Sequence, residues 1–375
     1  MSDLTRVLRE IRSGTAARLL LVEILAMADR EGILERIERH SPCSCEMLCR
    51  ALQAELGYAI ESGNRRRMIG LLFGLLRECG WIREVDGIWR RDSAGPPAIP
   101  AGGDGGPPGR DAGLADAQHL FFVRCLACVP AYLRGGPPSV LFDEDSAGFW
   151  ELFLGCPEFR TCRSLLLELM GIENRPSFRL LDLGHGPGWG LEAAISQFPQ
   201  VRITALDFTE VFHDRARARA EDAQARNRQL GRPVVPIDWV GPGRWKGFGR
   251  PLPFPDGSFE AVFFSCGDPY IPRDLRGAVY REIERVLAPG GRMGVLTRSR
   301  PDAGGRHVPS LWLRISALAH DFAESVCAGW EGFSDAEETI RIFSDIGLEG
   351  GGGVMGSMSL LDATLWILKK PRGHD

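Results

Sequence analysis

The chain of 375 residues has almost no net charge, since 45 lysines and arginines face 49 aspartates and glutamates. That balance argues against a strongly basic nucleic-acid surface, although it leaves room for a local patch. No apolar run approaches the length that spans a bilayer, and the first residues show no signal-peptide pattern. The expectation is a cytoplasmic protein with no membrane partner. The ten cysteines do not form the framework of a small secreted protein. Cys43, Cys45, Cys49 and Cys79 are irregularly spaced, and Cys125-Leu126-Ala127-Cys128 lies in an apolar helical pattern. A structural zinc site would pair two short motifs, so no metal is expected. There is also no histidine between His213 and His307.

What is present is concentrated in Leu180-Leu181-Asp182-Leu183-Gly184-His185-Gly186-Pro187-Gly188-Trp189-Gly190. An apolar run ends in an acid and breaks into glycines at alternate positions. This reads as a buried parallel strand entering a turn where a ligand can approach the backbone, because glycine has no Cβ and adopts positive φ. The helix expected from Leu191 to Phe198 would aim its first amides at the same place. A nucleotide-like cofactor at the carboxyl end of a first strand is the inference. A dinucleotide fingerprint fits only at Gly188, Gly190 and Ala193, too far past the strand, and no Gly-Lys-Ser/Thr follows to make a phosphate loop.

Downstream, Val201 to Leu206 is a second strand ending in Asp207, placed to accept both hydroxyls of a ribose; capping of the next helix is the alternative role. Leu252 to Phe264 is a turn and strand, and Leu287-Ala288-Pro289-Gly290-Gly291 is a turn into another. Asp182-x-Gly184-x-Gly186-x-Gly188, with these landmarks in this order, resembles the class I S-adenosylmethionine (SAM)-dependent methyltransferases. The resemblance implies SAM as cofactor, bound by Asp182, Gly184, Gly186, Gly188 and Asp207, with Ser265 beside them. It also implies that Phe208 and Trp239 flank the adenine, unless both are ordinary core residues. In many relatives an acid follows the third strand, but here Val240-Gly241-Pro242 stands there.

Residues 93–116 are rich in glycine and proline and read as a linker. Before them, 1–92 reads as a helical unit: apolar residues at helical spacing over 4–39, further helices at 44–52 and 64–79, and a hairpin over 81–90 turning on Asp86-Gly87. Helix, helix, hairpin predicts a winged helix. Arg65, Arg66 and Arg67 raise DNA binding, but their helix is apolar on several faces. The unit resembles the dimerisation domain of small-molecule O-methyltransferases, of plant phenolic and bacterial polyketide-tailoring type, which implies a homodimer and no nucleic-acid partner. Residues 117–375 would form the cofactor domain, with 117–172 a helical roof over the acceptor. Ser334 and Glu337 predict a capping box for a late helix. The fold class expected is therefore α/β, a Rossmann-like seven-stranded sheet with an N-terminal winged-helix domain.

Methyl transfer from a sulfonium is an in-line displacement, in which the protein mainly positions the reactants. Removing a proton from a phenol or alcohol needs a base. Asp268 in Cys266-Gly267-Asp268-Pro269 is a candidate, as is a role capping that turn. His307 and His320 are alternatives, and Glu331 is a candidate to orient a base or acceptor. The expectation is SAM-dependent methylation of a small molecule, with oxygen favoured over nitrogen, sulfur and carbon. A DNA-binding regulator that senses SAM, or a relative using the cofactor for other chemistry, is the competing reading.

Overall fold

The computed structural model describes residues 20–61, 63–91, 115–300, 311–350, 357–358 and 363–372. His307 and most of the expected linker lie outside the described residues. The chain divides into two compact units: Met1–Leu141 with Arg300–Gly332, and Phe142–Ser299 with Phe333–Asp375.

The first unit contains α1 (20–30), α2 (Ile33–His40), β1 (Cys43–Ser44), α3 (Cys45–Leu56), α4 (Gly63–Glu78), β2 (Ile82–Val85), β3 (Ile88–Arg91) and α5 (Ala115–Leu133). Within the described part of the helically spaced stretch at 4–39, Gly32, with φ of 70°, separates α1 from α2. Apolar periodicity continues through that break, so periodicity alone could not place it. Ser44 caps α3, its hydroxyl accepting the Met47 N–H at 3.2 Å. The hairpin turns on Asp86 and Gly87 with φ of 52° and 75°, the left-handed pair that suits a two-residue loop. β1, β3 and β2 form a small sheet.

α4 buries Met68, Ile69, Leu71, Leu72, Phe73, Leu75 and Leu76. Each such side chain contributes roughly 1.5–3 kcal/mol when fully buried. α4 packs on α11 (Leu311–Glu324), with Gly74 admitting Leu318 to its backbone. The three arginines at the head of α4 bond within the unit. Arg65 donates to the carbonyls of Tyr132 and Gly136, Arg66 pairs with Glu46 at 2.7 Å, and Arg67 meets the buried Asp321.

The second unit contains α6 (Glu144–Leu154), α7 (Pro157–Leu169), β4 (Arg179–Leu183), α8 (Trp189–Gln197), β5 (Arg202–Leu206), α9 (His213–Gln229), β6 (Asp238–Val240), β7 (Phe259–Ser265), α10 (Arg276–Val286) and β8 (Leu287–Thr297). The short strands β9 (Ser299–Arg300) and β10 (Ser334–Asp335) are followed by α12 (Ala336–Asp345), β11 (Glu349–Gly350), β12 (Ser357–Met358) and β13 (Ala363–Lys369). The main sheet runs β11-β13-β8-β7-β4-β5-β6, with β12 also on β13. Strands β6, β5, β4, β7 and β8 are parallel, and β13 is antiparallel to β8. This is a Rossmann-like α/β sheet. Leu180, Leu181 and Leu183 are almost wholly buried, as expected of a parallel strand covered on both faces. β5 and β7 flank β4 on opposite sides, so the chain reverses its winding direction there. A crevice opens at such a point beyond the strand ends.

Two local expectations are corrected. The capping box does not form: α12 begins at Ala336 after Asp335, and the Ser334 hydroxyl instead accepts from the buried Arg276. The Pro-Gly-Gly turn is absorbed into β8 as an irregularity in its pairing with β7, with Gly290 at φ 78°.

Candidate cofactor site

Beyond the carboxyl end of β4 lies a cleft of about 270 Å³, within the second unit. Its lining includes Asp182, Gly184, His185, Gly186, Trp189, Arg163 and Ser265. Gly184, Gly186 and Gly188 all have positive φ, of 69°, 50° and 86°. At Gly188 a Cβ would stand 2.7 Å from the Ala216 backbone, and at Gly190 one would stand 2.8 Å from Phe263 and 3.0 Å from Asp182 Oδ2. The loop is therefore built for close approach, both to a ligand and to its own supports.

Asp182 is 3% exposed, and its buried Oδ2 meets no hydrogen-bond donor. Burial pushes its carboxyl up to about 7, with the Asp207 charge adding to the rise and the Arg163 guanidinium opposing it. Arg163 comes from α7 and is itself 3% exposed. It donates to Ser265 Oγ at 2.9 Å and the Leu154 carbonyl at 2.6 Å, not to Asp182. The cleft thus holds a buried cation and a buried anion that are not paired with one another.

Asp207 joins two turns. Its Oδ2 accepts the Gly186 N–H at 2.8 Å and its Oδ1 accepts the Thr209 N–H at 3.0 Å. Asp207 stands at the end of β5 as expected but does not cap the next helix, because α9 begins at His213 after Phe212 with no side-chain cap; each carboxylate oxygen retains acceptor capacity for a hydroxyl. His185 is buried, with Nδ1 2.7 Å from the Gly186 carbonyl, which makes Nδ1 the protonated nitrogen. Trp239 packs its ring edge-on to His185 and His213, and the Arg217 guanidinium lies 5.1 Å from its centroid. Phe208 packs against Phe142, Trp245 and Phe248, in the aromatic layer beneath the β5–α9 turn.

Sequence reasoning missed two further supports. Trp189 is held by the Glu151 carbonyl at 3.2 Å and by Arg219, whose guanidinium lies 3.3 Å above its ring. Arg219 also donates to the Pro187 carbonyl, so α9 grips the glycine loop directly. The pattern Gly-Trp-Gly was a visible signal for Trp189. Arg163 had only the faint signal of a lone cation between the apolar positions of a helix, since its partner Ser265 is 102 residues away.

Asp268 is not among the residues that line this cleft. Asp268 is 1% exposed, and its two oxygens accept from Tyr280 and from Thr297, the latter at 3.3 Å. Burial and the Asp268 charge hold the Tyr280 hydroxyl well above its ordinary range. His320 and Glu331 belong to the first unit, where His320 pairs with Glu324 on α11. Among the described residues no cluster of His, Cys, Asp or Glu is placed to hold a metal, and no helix is long and apolar enough to cross a membrane.

The residues fit a nucleoside with a zwitterionic tail. Glycines clear its path, an orphaned carboxylate and an arginine wait for opposite charges, and Asp207 stands one strand further along. A family described as a methyltransferase domain matches residues 181–295. The ubiquinone/menaquinone biosynthesis C-methyltransferase UbiE of Methylobacterium nodulans is 34% identical over 147 residues, 39% of this chain and 52% of that protein. The demethylmenaquinone methyltransferase of Listeria welshimeri is 30% identical over 183 residues, 48% of this chain and 69% of its own length. The chain thus spans about half the length of the first of these relatives. Among solved structures, the CurJ carbon methyltransferase superposes with a TM-score of 0.62 at 13% identity, over 97% of this chain and 93% of that one. An O-methyltransferase family 2 protein of Planctomyces limnophilus, solved with apigenin, gives 0.52 at 17% identity, over 98% and 96%. At such identities the superpositions speak to the fold alone.

Proposed function

Because the chain belongs to the class I SAM-dependent methyltransferases, we propose that it transfers the methyl group of SAM to a small-molecule acceptor, a phenol or enol that ionises readily. The observation that carries this reading is the orphaned Asp182 Oδ2 in a glycine-lined cleft. A carboxylate with no donor, held where a ligand's ammonium arrives, is costly until that ligand binds.

SAM, when bound, supplies an electrophilic methyl on a positively charged sulfur. The chain's own residues do the rest. Asp182 takes the ammonium of the methionine part, and Arg163 takes its carboxylate with guanidinium hydrogens turned from Ser265. Gly184, Gly186 and Gly188 allow the tail to lie against backbone. Asp207 accepts from the ribose hydroxyls. Trp239 and Phe208 are the aromatic groups nearest the expected adenine position. Together they orient the donor and exclude water, which is most of what the displacement requires.

Asp182 and His185 line this cleft, the first kept for the cofactor's ammonium and the second bonded to the Gly186 carbonyl. Asp268 is enclosed by Tyr280 and Thr297, which suits a scaffold better than a base. An acceptor that arrives largely ionised needs no strong base. We favour its oxygen as the methylated atom. The name of the ubiquinone/menaquinone C-methyltransferase favours carbon of the same ambident anion as a second reading. The order α2, β1, α3, α4, β2, β3 supports a winged-helix element in the first unit. Because Arg65, Arg66 and Arg67 are all bonded internally, that element is read as a dimerisation module of a cytoplasmic, natural-product enzyme, not as a DNA reader.

Titration calorimetry with SAM, S-adenosylhomocysteine and NAD tests the cofactor, and failure to bind the first two sinks the proposal. Carbon-13 methyl SAM then identifies the acceptor atom, since O-methyl and C-methyl products resonate far apart. A shift of duplex DNA by the purified protein at moderate salt would favour the regulator instead.

A further inference from the structure

The segment after β6 reads Gly241-Pro242-Gly243 and offers no side-chain acceptor. A nucleoside lying across the strand ends, with its tail at β4 and its ribose at Asp207 on β5, extends its base toward β6. The exocyclic amino group of adenine needs a hydrogen-bond acceptor there. Two of the backbone carbonyls at this edge are already engaged. Val240 O receives the Asp207 N–H, and Gly241 O receives the N–H groups of Arg244 and Trp245.

One carboxylate does reach this place, from the neighbouring turn. A Cβ at Gly241 would stand 3.2 Å from Glu210 Oε1, so the absence of a side chain at 241 leaves room for the Glu210 carboxylate. Glu210 follows β5 by four residues and is exposed. Its side chain makes no hydrogen bond or ion pair among the described residues. His213, whose imidazole feels the Glu210 charge, is held toward the neutral form by burial and by the Arg217 charge. Its Nε2 accepts from Arg217 Nε at 2.7 Å, so this imidazole does not neutralise Glu210.

We infer that Glu210, projecting over Gly241, accepts the hydrogen bond of the adenine amino group and makes the site selective for adenosine over inosine. The carboxyl group missing after β6 is supplied from the end of β5. The inference rests on the SAM reading above. Inosine presents a carbonyl at the same position, which a carboxylate repels and an amide NH₂ can serve.

The test compares S-adenosylhomocysteine with S-inosylhomocysteine by calorimetry in the full chain, for wild type, Glu210→Ala and Glu210→Gln. Wild type should prefer the adenosine compound by at least about tenfold, the scale of one hydrogen bond to a charged group. Glu210→Ala should lose most of that ratio by weakening the adenosine compound. Glu210→Gln should lower the ratio further by improving inosine binding, which a merely structural residue would not do. Because Glu210 is exposed, neither change disturbs the core. A wild type that binds S-adenosylhomocysteine with a ratio unmoved in both variants overturns the inference alone. A wild type that binds neither compound overturns the cofactor reading and this inference with it.

Discussion

Asp182 and Asp268 are buried carboxylates, one near the end of β4 and the other in the turn beyond the adjacent strand β7, and they are used in opposite ways. Asp268 receives the Tyr280 and Thr297 hydroxyls and knits the β7 turn to α10 and β8. Asp182 leaves a buried oxygen without a donor, in a cleft lined in part by Gly184, Gly186 and Gly190. The difference separates scaffold from site. A folded chain satisfies its buried polar groups where it can, because an unmade hydrogen bond costs about 1–3 kcal/mol. An orphan that persists beside open space marks where a ligand completes the structure.

The contrast breaks most sharply at Gly190. Gly190→Val drives side-chain atoms into Phe263 and Asp182, and should abolish SAM binding and cost about 1–3 kcal/mol of stability, read by calorimetry and thermal melting. Retained binding would mean that the cleft is not the cofactor site. Next in size, Asp182→Asn should weaken SAM binding about 10–100-fold, since it removes a charged hydrogen-bond partner. The wild-type affinity should also fall as pH drops through about 7, where the carboxyl takes its proton, and the variant should lack that slope.

Asp268→Ala makes the converse case. It strands the Tyr280 hydroxyl and should cost about 1–3 kcal/mol in melting experiments while leaving SAM affinity unchanged. A milder Asp268→Asn that keeps turnover unchanged across pH would remove Asp268 as a base, whereas loss of turnover together with the acidic limb of the pH profile would restore it. The smallest effect concerns apo stability. A carboxyl whose pKa is raised by folding contributes stability below its ordinary range near 4, and that contribution is lost as pH rises toward about 7. Above pH 7 the ligand-free Asp182→Asn protein should therefore melt higher than wild type. An equal or lower melting point would show that Asp182 finds a donor in solution.

Much of the fold was legible because it rests on short-range rules. The apolar run at 180–183 followed by alternate glycines could hardly be anything but a buried strand and a ligand turn. Asp86-Gly87 specified its hairpin for a similar local reason. Legibility ended where local rules competed. Gly32 interrupted a pattern whose periodicity ran on regardless. Ser334 had the spacing of a capping residue, but a buried arginine from α10 claimed its hydroxyl.

The sequence by itself determined the sheet strands, the glycine loop, and the acids at 182 and 207 that belong to it, because each depends on residues within one strand and its turn. Tertiary structure alone decided which carboxylates are spent and which are open. It placed Arg163 beside Ser265, gave Asp268 to Tyr280, and brought Glu210 over the bare backbone of Gly241. Those outcomes depend on partners up to about a hundred residues away in the chain, and the burial that makes them matter exists only once the sheet and its helices have packed.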